Sequence, residues 1–349
     1  MEITKETFGK LNGDTVYAYT LKNDKGIEIK SLNYGCIITE ILVPDTKGQV
    51  ENVVLGFDNI DDYVNHSPYF GAVIGRVAGR IGQASFQLNG NTYKLPVNDG
   101  DNHLHGGLKG FDKVIWDAKV MEEKNYVGVE FSYYSVDGEE GYPGNLNVKV
   151  IYTLDNNNEF KIAYEGKSDE NTLLNLTNHT YFNLSGNLKT DILNHNLTMK
   201  SERFIELNDE LIPTGDLINV QDTVFDFREG RIIKDGTTSS DKQNLLAGNG
   251  YDHPFVLSSN HDKEIVLEDG TSGRNLVIET TEPCVVLYTG NQMGDDFEMN
   301  GIKSKKYLGL CLETQKHPDA INQPNFPSIV LEKGKTYKSE TTYSFNVNL

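Results

Sequence analysis

The sequence predicts an all-β fold, a large antiparallel β-sandwich with few short helices. Three observations carry the prediction. First, apolar and polar residues alternate with period two along many segments, as in strands with one packed face. Second, turn signals rich in Gly, Asn and Asp separate those segments, among them LNGNTY, VDGEEGYPGN, LEDGTSGRN and LEKGKTY. Third, no stretch shows the apolar periodicity of an amphipathic helix of three turns or more. Val127, Val129, Phe131 and Tyr133 share one face of the first clear strand. Leu146, Val148, Val150, Tyr152 and Leu154 share a face of the next, and Phe160, Ile162 and Tyr164 follow the DNNNE turn. EIVLED (264–269) and NLVIET (275–280) repeat the pattern, and SFQLNGNTYKL reads as a hairpin. YVNHSPYFG and the DKQNL stretch after Ser240 read as short helical turns, and residues 208–254 as loops. Composition does not shift along the chain and no linker interrupts it, so residues 1–349 read as one domain of two packed sheets.

Composition excludes several functions. With 51 acidic against 32 basic residues the net charge is −19, which disfavours a phosphate backbone as partner, so nucleic acid is not expected. No apolar run reaches the length of a membrane span, and the N-terminus lacks the apolar core of a signal peptide. Three well-separated cysteines, Cys36, Cys284 and Cys311, sit in apolar settings and read as small buried side chains rather than a disulfide framework. Five Asn-x-Ser/Thr sequons begin at Asn65, Asn175, Asn178, Asn183 and Asn196, several where a glycan would block other features. A reducing, cytoplasmic location is the expectation, for a monomer or a homodimer.

Among the eight histidines, His66, His195 and His261 lie in turn-like contexts and read as exposed, and His317 is ambiguous. His103 and His105 in DNHLHGG suggest a metal pair, because alternate strand positions point the same way. Lys109 and Gly110 occupy the places where a cupin-like site needs its carboxylate, so no metal is expected. Gly106-Gly107 implies a sharp turn that presents His105 at a strand end. TNHTYFNLSG (177–186) reads as a strand with one wet face, carrying Asn178 and His179 beside aromatics. GRVAGRIG (75–82) lacks the ending of a phosphate loop, which leaves Arg76 and Arg80 as guanidinium forks for paired oxygens or as loop salt bridges. In LGLCLETQ (308–315), Glu313 ends a buried strand with Gln315 on its face, and a carboxylate so placed is a natural general base. YDHPF offers Asp252 and His253, and VVLYTGN ends an apolar strand on Tyr288. Carboxylates, amides, an Arg and aromatic faces, without an activated Ser or Cys, suit a neutral, hydroxyl-rich ligand such as a sugar.

In their order along the chain, GRVAGRI, NHLHGG, DGEEGYPG, TNHTYFNL, YDHPF, LYTGN and CLETQ with PDAIN downstream resemble the aldose 1-epimerase family over nearly the whole chain. The resemblance implies a β-sandwich and cofactor-free interconversion of the α and β anomers of free aldoses. It assigns Glu313 as the base at the anomeric hydroxyl, His179 as the acid at the ring oxygen, and His105 as a donor near that oxygen. Arg80 and Asp252 are implied as binders of sugar hydroxyls and Tyr288 as a stacking wall, with Arg76, Gln315 and Asn178 as further contacts. The chain departs from the common pattern at Gly79, where many members carry Asn, and at Val286, two residues before Tyr288, where many carry Gln. Both departures bear on sugar preference rather than on the acid or the base. A sugar-phosphate epimerase, a glycosidase and a non-catalytic sugar-binding protein are the rival readings.

Overall fold

The computed structural model describes residues 1–347. Its largest sheet has nine antiparallel strands, in the order Asp117–Glu122, Tyr126–Ser135, Leu146–Asp155, Glu159–Ser168, Thr336–Val347, Arg274–Thr280, Ile265–Glu268, Asn196–Met199 and Arg231–Ile232. A six-stranded sheet runs Tyr181–Phe182, Leu310–Gln315, Cys284–Tyr288, Asp252–Leu257, Ser201–Leu207 and Pro213–Asn219. The period-two segments read from sequence are central strands of the first sheet. Their inward residues Val129, Phe131, Val148, Val150, Tyr152 and Ile162 share one buried cluster with Val285, Leu287, Leu310 and Leu312 of the second. The back of the six-stranded sheet thus faces the sandwich core, and its front is left to form something else.

Two features differ from the sequence reading. The N-terminal residues build a third sheet of five strands, from Glu2–Leu11 to Val50–Asn52. Within 208–254, read as loops, Pro213–Asn219 pairs along the edge of the six-stranded sheet, and two short helices follow, Lys234–Thr237 and Lys242–Leu246. Most side chains of that edge strand are at least partly exposed, so burial imposes no alternation for a pattern search to find. The helical turns expected near Ser240 and in YVNHS are present, the latter as Ile60–His66, capped by Asn59 through Asp62 N–H. Among the described residues no helix is long and apolar enough to cross a membrane.

TNHTYFNLSG is the largest local surprise. No wet strand face exists, because every residue from Thr172 to Gly186 is buried. Thr177–Asn178 pairs with Val73–Ile74, Tyr181–Phe182 pairs with Leu310–Cys311, and His179 and Thr180 form the step between the two pairings. That step is pinned through His179 itself, whose N–H donates to Ala72 O at 2.8 Å and whose carbonyl accepts from Gly71 N–H at 3.0 Å.

Candidate active site

A cleft of about 250 Å³ opens on the front of the six-stranded sheet. Strand register explains its floor. Cys311 lies opposite Tyr288, and Tyr288 opposite Asp252; Glu313 lies opposite Val286, and Val286 opposite Pro254. Directly paired residues share a face, so Glu313, Gln315, Val286, Tyr288 and Asp252 all point into the cleft. Their neighbours in sequence, Leu312, Leu287 and His253, turn to the core. His253 is fully buried there, its Nδ1 accepting from Asp252 N–H and its Nε2 facing Gln243 Oε1.

Loops bring the remaining groups over this floor. His179 Nε2 stands 3.6 Å from Glu313 Oε1, and its Nδ1 lies 3.4 Å from Cys311 Sγ. The His105 ring lies 5.2 Å from that of His179, near perpendicular to it. Tyr69 packs against both imidazoles, with ring centres 4.9 and 5.6 Å away. His105 reaches this position because its backbone is left-handed (φ 50°), directly before two positive-φ glycines. A Cβ at Gly106 would lie 1.8 Å from Gly75 O, so only glycine fits that turn. The same twist separates His105 from His103, which faces Pro96 O and the Tyr142 hydroxyl at 2.8 Å each. The two histidines therefore do not form the same-face pair their spacing suggests.

His105, His179 and Glu313 do offer ligand atoms within 4.8 Å of one another, a cation-like grouping. The tautomer of His105 argues against metal binding. Gly79 N–H donates to His105 Nδ1 at 3.2 Å, so in the neutral ring the proton resides on Nε2. That nitrogen is then a donor aimed at the cleft rather than a lone pair for a metal.

Burial sets the proton chemistry. It pushes His105 well below the usual imidazole range, with His179, Arg80 and His103 adding to the effect, and pushes His179 down to about 4. It raises Glu313 well above the usual carboxylate range, helped by the nearby Asp252 and opposed by Arg80. Asp252 is raised too, by burial first, with Arg80 opposing. Burial disfavours the charged forms of both His179 and Glu313, whereas their 3.6 Å contact favours the ion pair.

The other expected site residues divide. Arg80 lines the cleft and is held by Asp99 at 2.7 Å. Tyr288 lines it as well, its hydroxyl accepting from Gln292 N–H. Gln315 is fully buried in the cleft wall, and its Oε1 has no hydrogen-bond partner among the described residues. Arg76 and Asn178 are not in the cleft. The Arg76 guanidinium is buried elsewhere, donating to Ser135 Oγ and to the carbonyls of Ser135, Val136 and Pro143. Asn178 donates to Gly71 O and accepts from Thr180 N–H, bracing the step that aims His179. His195, expected at the surface, is buried and accepts from Leu184 N–H. The departures Gly79 and Val286 both line the cleft.

Sequence reasoning missed Pro68, Tyr69, Leu211, Gln292 and Met293. The SPYFG stretch around Tyr69 combines a proline with aromatics, as YDHPF does, and was the one signal available. Leu211 and Met293 carry none, since an apolar loop residue reads the same whether it lines a cleft or a core.

Residues 17–344 match the family model described as aldose 1-epimerase. The chain belongs to the aldose 1-epimerase family. It is 42% identical over 356 residues to the galactose mutarotase of Bos taurus and 36% identical over 353 residues to the aldose 1-epimerase of Streptococcus thermophilus, each match covering 99% of both chains. Its fold superposes on the galactose 1-epimerase from Lactobacillus acidophilus with a TM-score of 0.89 at 30% identity, covering 100% of this chain and 99% of that one. An aldose epimerase homologue from C. elegans matches with a TM-score of 0.85 at 28% identity, over 95% of this chain. The aldose 1-epimerase cleft here thus sits on a sandwich shared with solved relatives.

Proposed function

We propose that this chain catalyses the mutarotation of free aldohexoses such as glucose and galactose, with Glu313 as base, His179 as acid and His105 as supporting donor. The observation that carries the assignment is the 3.6 Å contact of His179 Nε2 with Glu313 Oε1 in the cleft. A sugar bound with its anomeric hydroxyl at Glu313 and its ring oxygen at His179 meets both groups at once. Glu313 takes the hydroxyl proton as His179 delivers its proton to the ring oxygen, and the C1–O5 bond breaks to leave an aldehyde. Rotation about C1–C2 presents the other face of the carbonyl. O5 then attacks C1 and returns its proton to His179, and Glu313 gives its proton to the carbonyl oxygen. Concerted transfer avoids a free alkoxide or oxonium, each partner contributing on the order of 10²–10⁴-fold. His105 Nε2–H is available to the same ring oxygen.

Arg80 and Asp252 supply hydroxyl contacts in this reading, and Tyr288 supplies a face for the C–H side of the ring. Gln315 Oε1 is a further acceptor: a buried amide oxygen without a partner costs about 1–3 kcal/mol, which a sugar hydroxyl would recover. Arg80 is the only Arg or Lys lining the cleft among the described residues, and Asp99 already engages it, which disfavours a phosphosugar. The cleft draws its walls from Pro68 to Pro318 of one chain, in keeping with a single domain that acts as a monomer or a homodimer. A cytoplasmic, unglycosylated setting is supported by three free, buried cysteines and by the burial of sequon residues Asn175, Asn178 and Asn183.

Polarimetry on freshly dissolved α-D-glucose and α-D-galactose, with EDTA present, tests the assignment. Fast decay of rotation that Glu313→Gln loses is the expected result. Decay at the spontaneous rate on both sugars, from folded wild-type protein, would refute it. The pH profile of kcat should be bell-shaped. The acid limb reports a second proton reaching the His179–Glu313 pair, which burial delays to low pH. The alkaline limb reports loss of the shared proton, which burial of the carboxylate delays to high pH.

A further inference from the structure

Cys311 stands two residues before Glu313 on one strand, so both side chains project from the same face. The His179 imidazole spans them, with Nε2 3.6 Å from the Glu313 carboxylate and Nδ1 3.4 Å from Cys311 Sγ. The thiol has no exposure, and Tyr181 and Tyr288 pair with its backbone from the strands on either side. We propose that Cys311 is a positioning residue for His179, its thiol holding the Nδ1 edge of the imidazole so that the exchangeable proton is carried on Nε2. The proposal deepens the mutarotase reading and rests on His179 being the proton donor.

The polarity of the contact follows from the chemistry of its two ends. A thiol is a weak donor and its sulfur a weak acceptor, so the sulfur can face a protonated Nδ1. The carboxylate on the other edge accepts but does not donate when ionised. Delivery of Nε2–H to the ring oxygen leaves the neutral ring with its remaining proton on Nδ1, facing the Cys311 sulfur, and its Nε2 lone pair toward Glu313, which then holds the shared proton. Burial, Glu313 and Asp252 all push the Cys311 thiol well above its ordinary range, which keeps the hydrogen on sulfur. When His179 is imidazolium both its nitrogens donate, and the Cys311 sulfur accepts from Nδ1–H as it does in the neutral ring. The partner thus serves both states and fixes neither. A carboxylate in its place would favour the imidazolium and hold back the proton that His179 must release in each turnover. Besides Cys311, the groups around His179 are Glu313, His105 and the phenols of Tyr69, Tyr181 and Tyr288.

Two variants and one spectrum test this. A hydroxyl can donate and accept as a thiol does, and a methyl can do neither. Cys311→Ala should lower kcat on the order of tenfold with KM nearly unchanged and should shift the kcat pH profile, whereas Cys311→Ser should stay within about twofold of wild type. Nitrogen NMR of histidine-labelled wild type at neutral pH should show His179 protonated at Nδ1, a result that needs no variant to fold. Wild-type kcat and pH profile in folded Cys311→Ala, or a bare Nδ1 in the neutral ring, would overturn the proposal. Wild-type protein without any mutarotation would instead sink the functional reading, and the tautomer measurement would still judge the contact.

Discussion

The two faces of the strand Leu310–Gln315 are built from alternate residues of one short segment, yet they answer to different physics. Leu310 and Leu312 point into the sandwich core, where shape and apolar area are what count. Glu313 and Gln315 point the other way and are just as buried, but they are polar. On the core face burial stabilises. On the cleft face it does the opposite for any charge, and that is what shifts the proton affinities of Glu313 and His179. Burial by itself therefore does not separate core from site; what each side chain finds on the far side does. Arg76 and Arg80 make the same point four residues apart, one satisfied by carbonyls inside the protein and the other set at the cleft wall.

Breaking the core face should give the largest stability change. Leu312→Ala removes packed methyl groups and is expected to cost about 2–5 kcal/mol by denaturant unfolding, with KM unchanged in the protein that remains folded. An equal loss from Glu313→Gln would erase the distinction between the faces. Next comes the arginine pair. Arg76→Gln leaves several buried acceptors without a donor and should lower stability by about 1–3 kcal/mol while KM stays put. Arg80→Gln should do the reverse, raising KM with little effect on the midpoint of unfolding. Steady-state polarimetry beside chemical denaturation separates the two outcomes.

The smallest effect is the most telling about burial. Because the Glu313 carboxyl is raised in the folded state, the native protein binds more protons than the unfolded chain above the ordinary carboxylate pKa. Stability from this group is therefore fully present at acid pH and lost as pH rises through the raised value. Glu313→Gln should unfold like wild type near pH 4 and at a higher temperature than wild type by pH 8. A variant less stable than wild type across the whole range would show that the carboxylate supports the fold after all.

Alternation and turn chemistry determined the sandwich from sequence, because a strand with one face in a core must repeat every two residues. The same rule identified Glu313, Gln315 and Tyr288 as polar or aromatic interruptions of apolar strands. It had less purchase on His179, whose segment leaves one pairing and enters another, and on Pro213–Asn219, an edge strand with nothing to bury. Tertiary structure alone decided that His103 and His105 part company, since a left-handed residue before a glycine pair breaks the alternation on which their spacing was judged. It alone sent Arg76 inward, brought Tyr69 against both imidazoles, and laid His179 across Cys311 and Glu313. Sequence reports which residues share a face of one strand; which faces meet across loops depends on long-range packing that no local pattern encodes.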